Sequence, residues 1–365
     1  MSDPVTLSYK RVGTLSIHLD VFLPSRAVSN EKPTKATIPA VVYFHGGGLT
    51  VGNRGSWFPH WLKDRVVASG FAFLCSDYRL LPPSTGHQVV EDIRDLFHFL
   101  NHDFSSSLHA VSSLHNFHID PNRIAVAGTS AGGLCAYLAA MHARPKPKTV
   151  LSFYGMGGNF VTPHYLHEKN APFFRGRELL DPNDLSKYLY PTSENLDPLS
   201  DSALAYHPPN SPTPGYPANP RMQLARLYLQ MGNFLDYYTG QHEPSLSQTL
   251  RTAWDEIDNV STQGHEVPEK LRHNIPDSHR ILFPQYADLD SWPPTLIVHG
   301  SDDSAVHVHE SVYLHNLLQK AGVTSTLKIV DGEEHSFDYA PDAMSRFGTE
   351  GGLFDQVGEF LSQIA

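Results

Sequence analysis

Cysteine is nearly absent. The 365-residue chain has two, Cys75 and Cys135, each inside an apolar run. Two such residues cannot supply a disulfide framework, and their surroundings predict core thiols, compatible with a reducing compartment. No run of 18 apolar residues occurs, so no membrane span is expected. Basic residues are outnumbered: 27 Lys and Arg against 38 Asp and Glu give a net charge of −11 with the histidines neutral. On average that surface repels polyanions, so neither nucleic acid nor an anionic membrane is expected as a partner. A basic leader, a lipidation signal and an internal repeat are also missing, and the expected location is cytoplasmic. No H-E-x-x-H is present, and nothing near His307 and His309 completes a ligand set. Neither a metal nor an organic cofactor is therefore expected.

What is present fits a globular chain. Hydrophobic residues make up 40% and charged residues 18%, enough core for one large α/β domain with an insertion or for two ordinary domains. Two antiparallel strands are predicted over residues 6–22, and a Pro/Ser/Lys-rich loop over 24–38. A strand at 40–44 then starts an alternation of strands (71–76, 123–127, 150–154) with helices (57–68, 87–101, 134–141). Such alternation implies βαβ units and a mostly parallel sheet flanked by helices. It stops near Gly157. Residues 157–290 are rich in proline and tyrosine, with scattered helical stretches such as 221–237. The alternation resumes with a strand at 294–299, a helix at 308–321, a strand at 325–330 and a helix at 352–363. Both ends of the irregular block rejoin one sheet, so 1–156 and 291–365 are expected to form the core, and 157–290 a mainly helical cap or lid.

Gly128-Thr129-Ser130-Ala131-Gly132 sits between the strand at 123–127 and the Ala/Leu-rich helix. Small residues two places either side let a serine occupy a tight strand-to-helix turn that lifts its hydroxyl above the sheet. The pentapeptide alone is weak evidence, since composition gives roughly 0.2 chance matches per chain. Its companions strengthen it. His45-Gly46-Gly47-Gly48 ends the strand at 40–44, and consecutive glycines let backbone N–H groups approach a bound carbonyl. The N–H groups of Gly47, Gly48 and Ala131 are the candidate oxyanion donors. A carboxylate is available on the loop after 294–299, where Asp303 suits the role and Asp302 is the alternate. His335 follows the last strand, within reach of both the serine and the acid. Ser130, Asp303 and His335 are thus the candidate nucleophile, acid and base, in that chain order.

These residues resemble the α/β-hydrolase superfamily and, within it, the hormone-sensitive-lipase-like carboxylesterases. The likeness rests on His45–Gly48, Asp77-Tyr78-Arg79-Leu80-Leu81-Pro82, Glu91-Asp92, Gly128–Gly133, His299-Gly300 with Asp303, and His335-Ser336-Phe337. It covers residues 40–155 and 292–340 and hardly touches 157–290. Thr129 stands where that family usually has an acidic residue, and the first 40 residues lack the family's long N-terminal cap segment. The His-Gly-x-x-Asp-x-x-Val acid loop is also similar to prolyl-oligopeptidase-like hydrolases. Tyr78, Arg79 and Asp92 are read as a structural brace, and most aromatics of 157–290 as packing.

The resemblance implies an α/β-hydrolase fold with a cap, and hydrolysis of carboxylic esters of small to medium acyl chains through an acyl-enzyme. The expected partner is a small-molecule ester, with a homodimer as the allowed assembly. Amidase, lactonase, peptidase-like or acyltransferase chemistry fits the same residues. A binding protein on an inactive hydrolase fold would instead have lost Ser130, Asp303 or His335, and all three are present.

Overall fold

The computed structural model describes residues 3–24, 36–112, 117–256 and 269–363. β1 (Val5–Val12) and β2 (Leu15–Phe22) form an antiparallel hairpin that turns at Gly13, where φ is 58°. Then follow β3 (Ala36–Phe44), α1 (His60–Ala68), β4 (Ala72–Ser76), α2 (Gly86–His102), α3 (Phe104–Val111), β5 (Phe117–Thr129), α4 (Ala131–His142) and β6 (Thr149–Phe153). Between β6 and β7 the described residues carry only short helices: α5 (Pro163–Leu166), α6 (Leu224–Gln230), α7 (Phe234–Thr239), α8 (Leu246–Asp255), α9 (Glu269–His273) and α10 (Asp277–Arg280), with 3₁₀ turns between some of them. The chain finishes with β7 (Thr295–Gly300), α11 (Val308–Lys320), β8 (Ser325–Val330), α12 (Ala343–Phe347) and α13 (Leu353–Ser362).

The strands make one eight-stranded sheet in the order β1-β2-β4-β3-β5-β6-β7-β8. Only β2 runs against the rest, antiparallel to both β1 and β4; β3 through β8 are mutually parallel. The loops after β3, β5, β7 and β8 therefore all leave the same edge of the sheet, the edge at which open α/β sheets gather their ligands.

Strands buried on both faces need apolar residues at every position, and β4, β6 and β7 are buried throughout. In β3 the pleat sends Val42 and Phe44 toward α2 and α4, where they join Val89, Ile93, Leu134 and Leu138. Val41 and Tyr43 face the other layer, with Trp61 of α1 and Phe354 and Val357 of α13. The Trp61 and Phe354 rings stack there with centroids 3.8 Å apart. Leu224, Tyr228, Phe234 and Tyr238, from the segment between β6 and β7, belong to the first of these clusters. That segment is thus continuous with the core on the α2–α4 face. Cys75 and Cys135 are both free and buried.

Several expected boundaries shift for local reasons. The loop anticipated at 24–38 gives way to strand from Ala36, which pairs with Phe117; residues 25–35 lie outside the described part. Helix α1 starts at His60 rather than Trp57, because Trp57 has φ 44° and Pro59 occupies the N-cap. The helical stretch foreseen at 221–237 is two helices, α6 and α7. Gly232 interrupts it with φ 61°, and a Cβ there would lie 2.6 Å from the Leu166 carbonyl oxygen. Among the described residues no helix is long and apolar enough to cross a membrane.

Candidate active site

Ser130 sits between the end of β5 and the start of α4 with φ 56° and ψ −121°, a conformation that L residues rarely adopt. The turn is possible because Gly128 and Gly132, two places to either side, have no side chains. A Cβ on Gly128 would come within 2.0 Å of the Gly132 carbonyl oxygen, and one on Gly132 within 2.0 Å of the Phe44 carbonyl oxygen. Donation from the Ser130 N–H to the Phe153 carbonyl at 3.0 Å ties the turn to β6.

The Ser130 hydroxyl lies 3.0 Å from Nε2 of His335, and Nδ1 of His335 lies 2.7 Å from Oδ2 of Asp303. A ring nitrogen facing a carboxylate carries its proton, which leaves Nε2 to accept from the serine. Asp303 Oδ1 accepts from the N–H groups of Ala305 and Val306, both at 2.9 Å. Burial pushes the Asp303 carboxyl up, but the charge of His335 and hydrogen bonds from His299 and His335 outweigh it and hold the group well below the usual carboxylate range. Asp302 is exposed and accepts from the Ser301 hydroxyl. The alternatives left open by the sequence thus separate: Asp303 meets the histidine and Asp302 does not. The loops themselves are clamped by Glu334, which accepts from the N–H groups of His335 at 2.7 Å and Ser304 at 2.9 Å.

Gly47 and Gly48 have φ of 111° and 60°, and Ser130 and the two glycines line one cavity. The Gly47 carbonyl is turned away into a loop, accepting from Thr50 N–H at 3.0 Å. Ala131 is the first residue of α4, so its N–H has no acceptor within the helix. His45 is fully buried; its ring stacks on Tyr78 at 4.4 Å, and Tyr78 donates to the His45 carbonyl at 2.7 Å. Burial lowers its pKa to about 4, so it is a neutral strut beneath the glycines.

The cavity measures about 740 Å³ and is floored by Ser130, His335 and Gly46–Gly48. Its walls come largely from the segment between β6 and β7, including Tyr165, Phe174, Tyr216 and Phe234. Most other aromatics of that segment, such as Phe160, Tyr188, Tyr228 and Tyr238, are buried packing residues. Among the described residues no three His, Cys, Asp or Glu side chains group in the manner of a metal site. Arg79 and Asp92 form the expected brace: the Arg79 N–H and Nε donate to Asp92 at 2.8 and 2.9 Å.

Other supports were not foreseen. Thr129 shares a hydrogen bond of 2.8 Å with the Tyr43 hydroxyl, which meets Tyr339 at 2.9 Å, so a chain of hydroxyls runs beside Ser130. Tyr154 packs against His335 with centroids 4.5 Å apart, and its hydroxyl donates to buried Asp338. Burial lifts the Asp338 carboxyl to about 6. Arg221 is buried and donates to the carbonyls of Thr50 at 3.0 Å, Leu81 at 2.9 Å and Pro82, fastening the segment between β6 and β7 to the glycine loop. These residues come from distant positions, and no local pattern marks them.

A family model described as the alpha/beta hydrolase fold matches residues 41–210, and one described as the prolyl oligopeptidase family matches residues 248–356. The second spans the acid and histidine loops, whose pattern carried that likeness. A probable carboxylesterase, M8, of a Phoma species is 24% identical over 336 residues, covering 90% of this chain and 88% of that protein. The non-reducing polyketide synthase ausA of Aspergillus calidoustus is 28% identical over 98% of this chain, which spans only 14% of the synthase. Esterase 2 of Thermogutta terrifontis in its butyrate-bound form superposes with a TM-score of 0.56 at 17% identity, covering 100% of this chain and 95% of that one. An alpha/beta hydrolase superfamily protein of Enterococcus faecalis gives 0.58 at 17%, covering 100% and 99%. At such identities the superpositions show the shared fold.

Proposed function

We propose that this chain, whose residues 41–210 match a family model of the alpha/beta hydrolase fold, is a serine hydrolase cleaving carboxylic esters of small to medium acyl chains. The observation that carries this reading is the unbroken relay at the cavity floor: Ser130 Oγ to His335 Nε2 at 3.0 Å, and His335 Nδ1 to Asp303 Oδ2 at 2.7 Å. In this reading His335 takes the Ser130 proton as the hydroxyl attacks the ester carbonyl. Asp303 orients the ring and stabilises the imidazolium. The N–H groups of Gly47, Gly48 and Ala131 receive the developing oxyanion, and His335 protonates the leaving alcohol. Water, deprotonated by His335, then attacks the acyl-enzyme and frees Ser130 and the carboxylic acid. Residues 157–290 serve as the cap that sizes the acyl pocket. The carboxylesterase named in Phoma supports an ester substrate.

A thioester in place of the oxoester is the second reading. It is favoured by the match of almost the whole chain to a 14% portion of a polyketide synthase. The same serine, histidine and oxyanion donors would serve, because only the leaving group changes.

The test is hydrolysis of 4-nitrophenyl esters from acetate to decanoate by wild type and Ser130→Ala. Turnover by wild type that falls by at least about 10⁴ in the variant, with circular dichroism unchanged, supports the proposal. Equal turnover by the two proteins would refute Ser130 as nucleophile. Activity confined to acyl thioesters selects the second reading, and a folded wild type inert toward both points to a binding role.

A further inference from the structure

The cavity that holds Ser130 and His335 is also lined by Arg175, Arg177 and Arg226, and Arg226 is tied to the 175–178 segment through the Glu178 carbonyl. Elsewhere Arg54, Arg65, Arg79, Arg251, Arg280 and Arg346 each reach a carboxylate within 4.0 Å. Arg175, Arg177 and Arg226 meet none among the described residues, although Glu178 lines the same cavity. Of the three, Arg226 has its guanidinium held by backbone, Nη1 donating to the Glu178 carbonyl at 3.1 Å, while Arg175 and Arg177 are fixed through their main-chain N–H groups, which donate to the Ser304 hydroxyl at 2.8 Å and the Phe173 carbonyl at 2.9 Å. Arg226 is half-buried, and burial and the charge of Arg177 both pull its guanidinium below its ordinary value.

Arg175 and Arg177 are exposed at the cavity rim, and like charges brought together without a counter-ion repel one another even where solvent screens them in part. This arrangement occurs in a chain whose net charge is −11, where carboxylates are plentiful enough to have neutralised it. The floor of the cavity serves a neutral ester carbonyl and has no use for three cations. A planar guanidinium fork matches a carboxylate, and a group of them is built to receive one.

We infer that the substrate is an ester bearing a free carboxylate at the end remote from the scissile bond, held by Arg226 and Arg177 with Arg175 at the rim. The inference rests on the hydrolase reading of the site and adds the substrate class. Half-esters of dicarboxylic acids are the simplest members of that class.

The test compares mono-4-nitrophenyl esters of adipic, suberic and sebacic acids with 4-nitrophenyl hexanoate, octanoate and decanoate. The readout is the ratio of kcat/KM, charged over neutral, at each chain length. At low ionic strength the ratio should reach roughly tenfold or more at one length, shrink in 0.5 M NaCl, and collapse toward one in Arg226→Gln and Arg177→Gln. A ratio at or below one at every length, or one indifferent to both substitutions, overturns the inference while leaving ester hydrolysis standing. A second arm needs no turnover. Calorimetry on Ser130→Ala should find monomethyl suberate bound at least about tenfold more tightly than dimethyl suberate, with the difference lost in Ser130→Ala/Arg226→Gln. Equal binding of the two esters overturns the inference whether or not the wild type hydrolyses anything.

Discussion

His299 Nε2 lies 3.2 Å from Oδ2 of Asp303, the oxygen that also meets Nδ1 of His335 at 2.7 Å. The His299 ring is fixed by the Ser311 hydroxyl at 2.6 Å on Nδ1 and the Val306 carbonyl at 2.8 Å on Nε2. With its proton on Nε2, it donates between a carbonyl and the carboxylate. A second histidine thus steadies the acid that steadies the first.

This arrangement ranks three substitutions. Asp303→Asn should lower kcat for 4-nitrophenyl butyrate by about 10³–10⁴, since the amide favours the wrong tautomer of His335. Asp302→Asn, at an exposed position, should stay within about twofold, and His299→Phe should fall between them. If Asp302→Asn were the more damaging of the two acids, the assignment of Asp303 would be wrong. The depressed Asp303 pKa also gives a sign for stability. Its contribution is complete above the ordinary carboxylate value near 4 and is lost as pH falls below it. Asp303→Asn should accordingly lose less stability on acidification than wild type.

Gly48→Ala tests the proposed oxyanion role of the loop at Gly46–Gly48. The added Cβ would stand 2.3 Å from Cβ of Ala225 on α6, at a residue with φ 60°. Relief requires the loop or α6 to move, and a displaced donor costs about 10²–10³ in kcat. Steady-state kinetics beside a thermal melt separates the two effects. A full kcat beside a lowered melting temperature would show that α6 gives way and the glycine loop keeps its place.

Arg221→Met removes the donors that hold the carbonyls of Thr50, Leu81 and Pro82. Buried carbonyls left without partners cost about 1–3 kcal/mol each, so urea denaturation should show a loss of roughly 3 kcal/mol or more. Because Thr50 also donates to the carbonyls of Gly47 at 3.2 Å and Arg221 at 3.1 Å, kcat should fall as well. An unchanged midpoint would mean that the segment between β6 and β7 is held by its apolar contacts alone.

Glu310 is buried, with Oε1 accepting from Tyr165 at 2.8 Å and Oε2 from Gly157 N–H at 2.7 Å. Burial raises its pKa from 4.5 to about 8. The unfolded chain gives up this proton near 4.5, whereas the folded chain keeps it to about 8, so the folded state is progressively disfavoured across that window. Glu310→Gln cannot ionise and keeps an acceptor for Gly157 and a donor for Tyr165. Relative to wild type it should gain stability between pH 5 and 8, by on the order of 2–4 kcal/mol in urea titrations. A constant difference across that range would contradict the buried, protonated state.

Much of the scaffold was legible because its signals are local. Short, mostly apolar runs mark β4, β6 and β7, since a strand covered on both faces has no polar side. The glycines around Ser130 follow from steric exclusion within a few residues, and His45–Gly48 from the need for bare backbone near a bound carbonyl. The chain order Ser130, Asp303, His335 followed from strands and the loops after them. Residues 157–290 resisted the same reading. Their helices are short and broken at positions such as Gly232, so no period builds up, and their burial comes from fitting the α2–α4 face rather than from a repeating stripe.

The sequence by itself determined the fold class, the serine turn, the glycine loop and a short list of acids and bases, because each is encoded in neighbours along the chain. Only the tertiary structure decided which aspartate meets His335, since Asp302 and Asp303 are adjacent in sequence and are told apart by the side from which the β7 loop is approached. It alone paired β2 with β4, joined Thr129 to Tyr43 and Tyr339, and brought Arg175 and Arg177 to the same cavity as Arg226. Such groupings depend on which distant surfaces pack together, and a one-dimensional pattern holds no record of that.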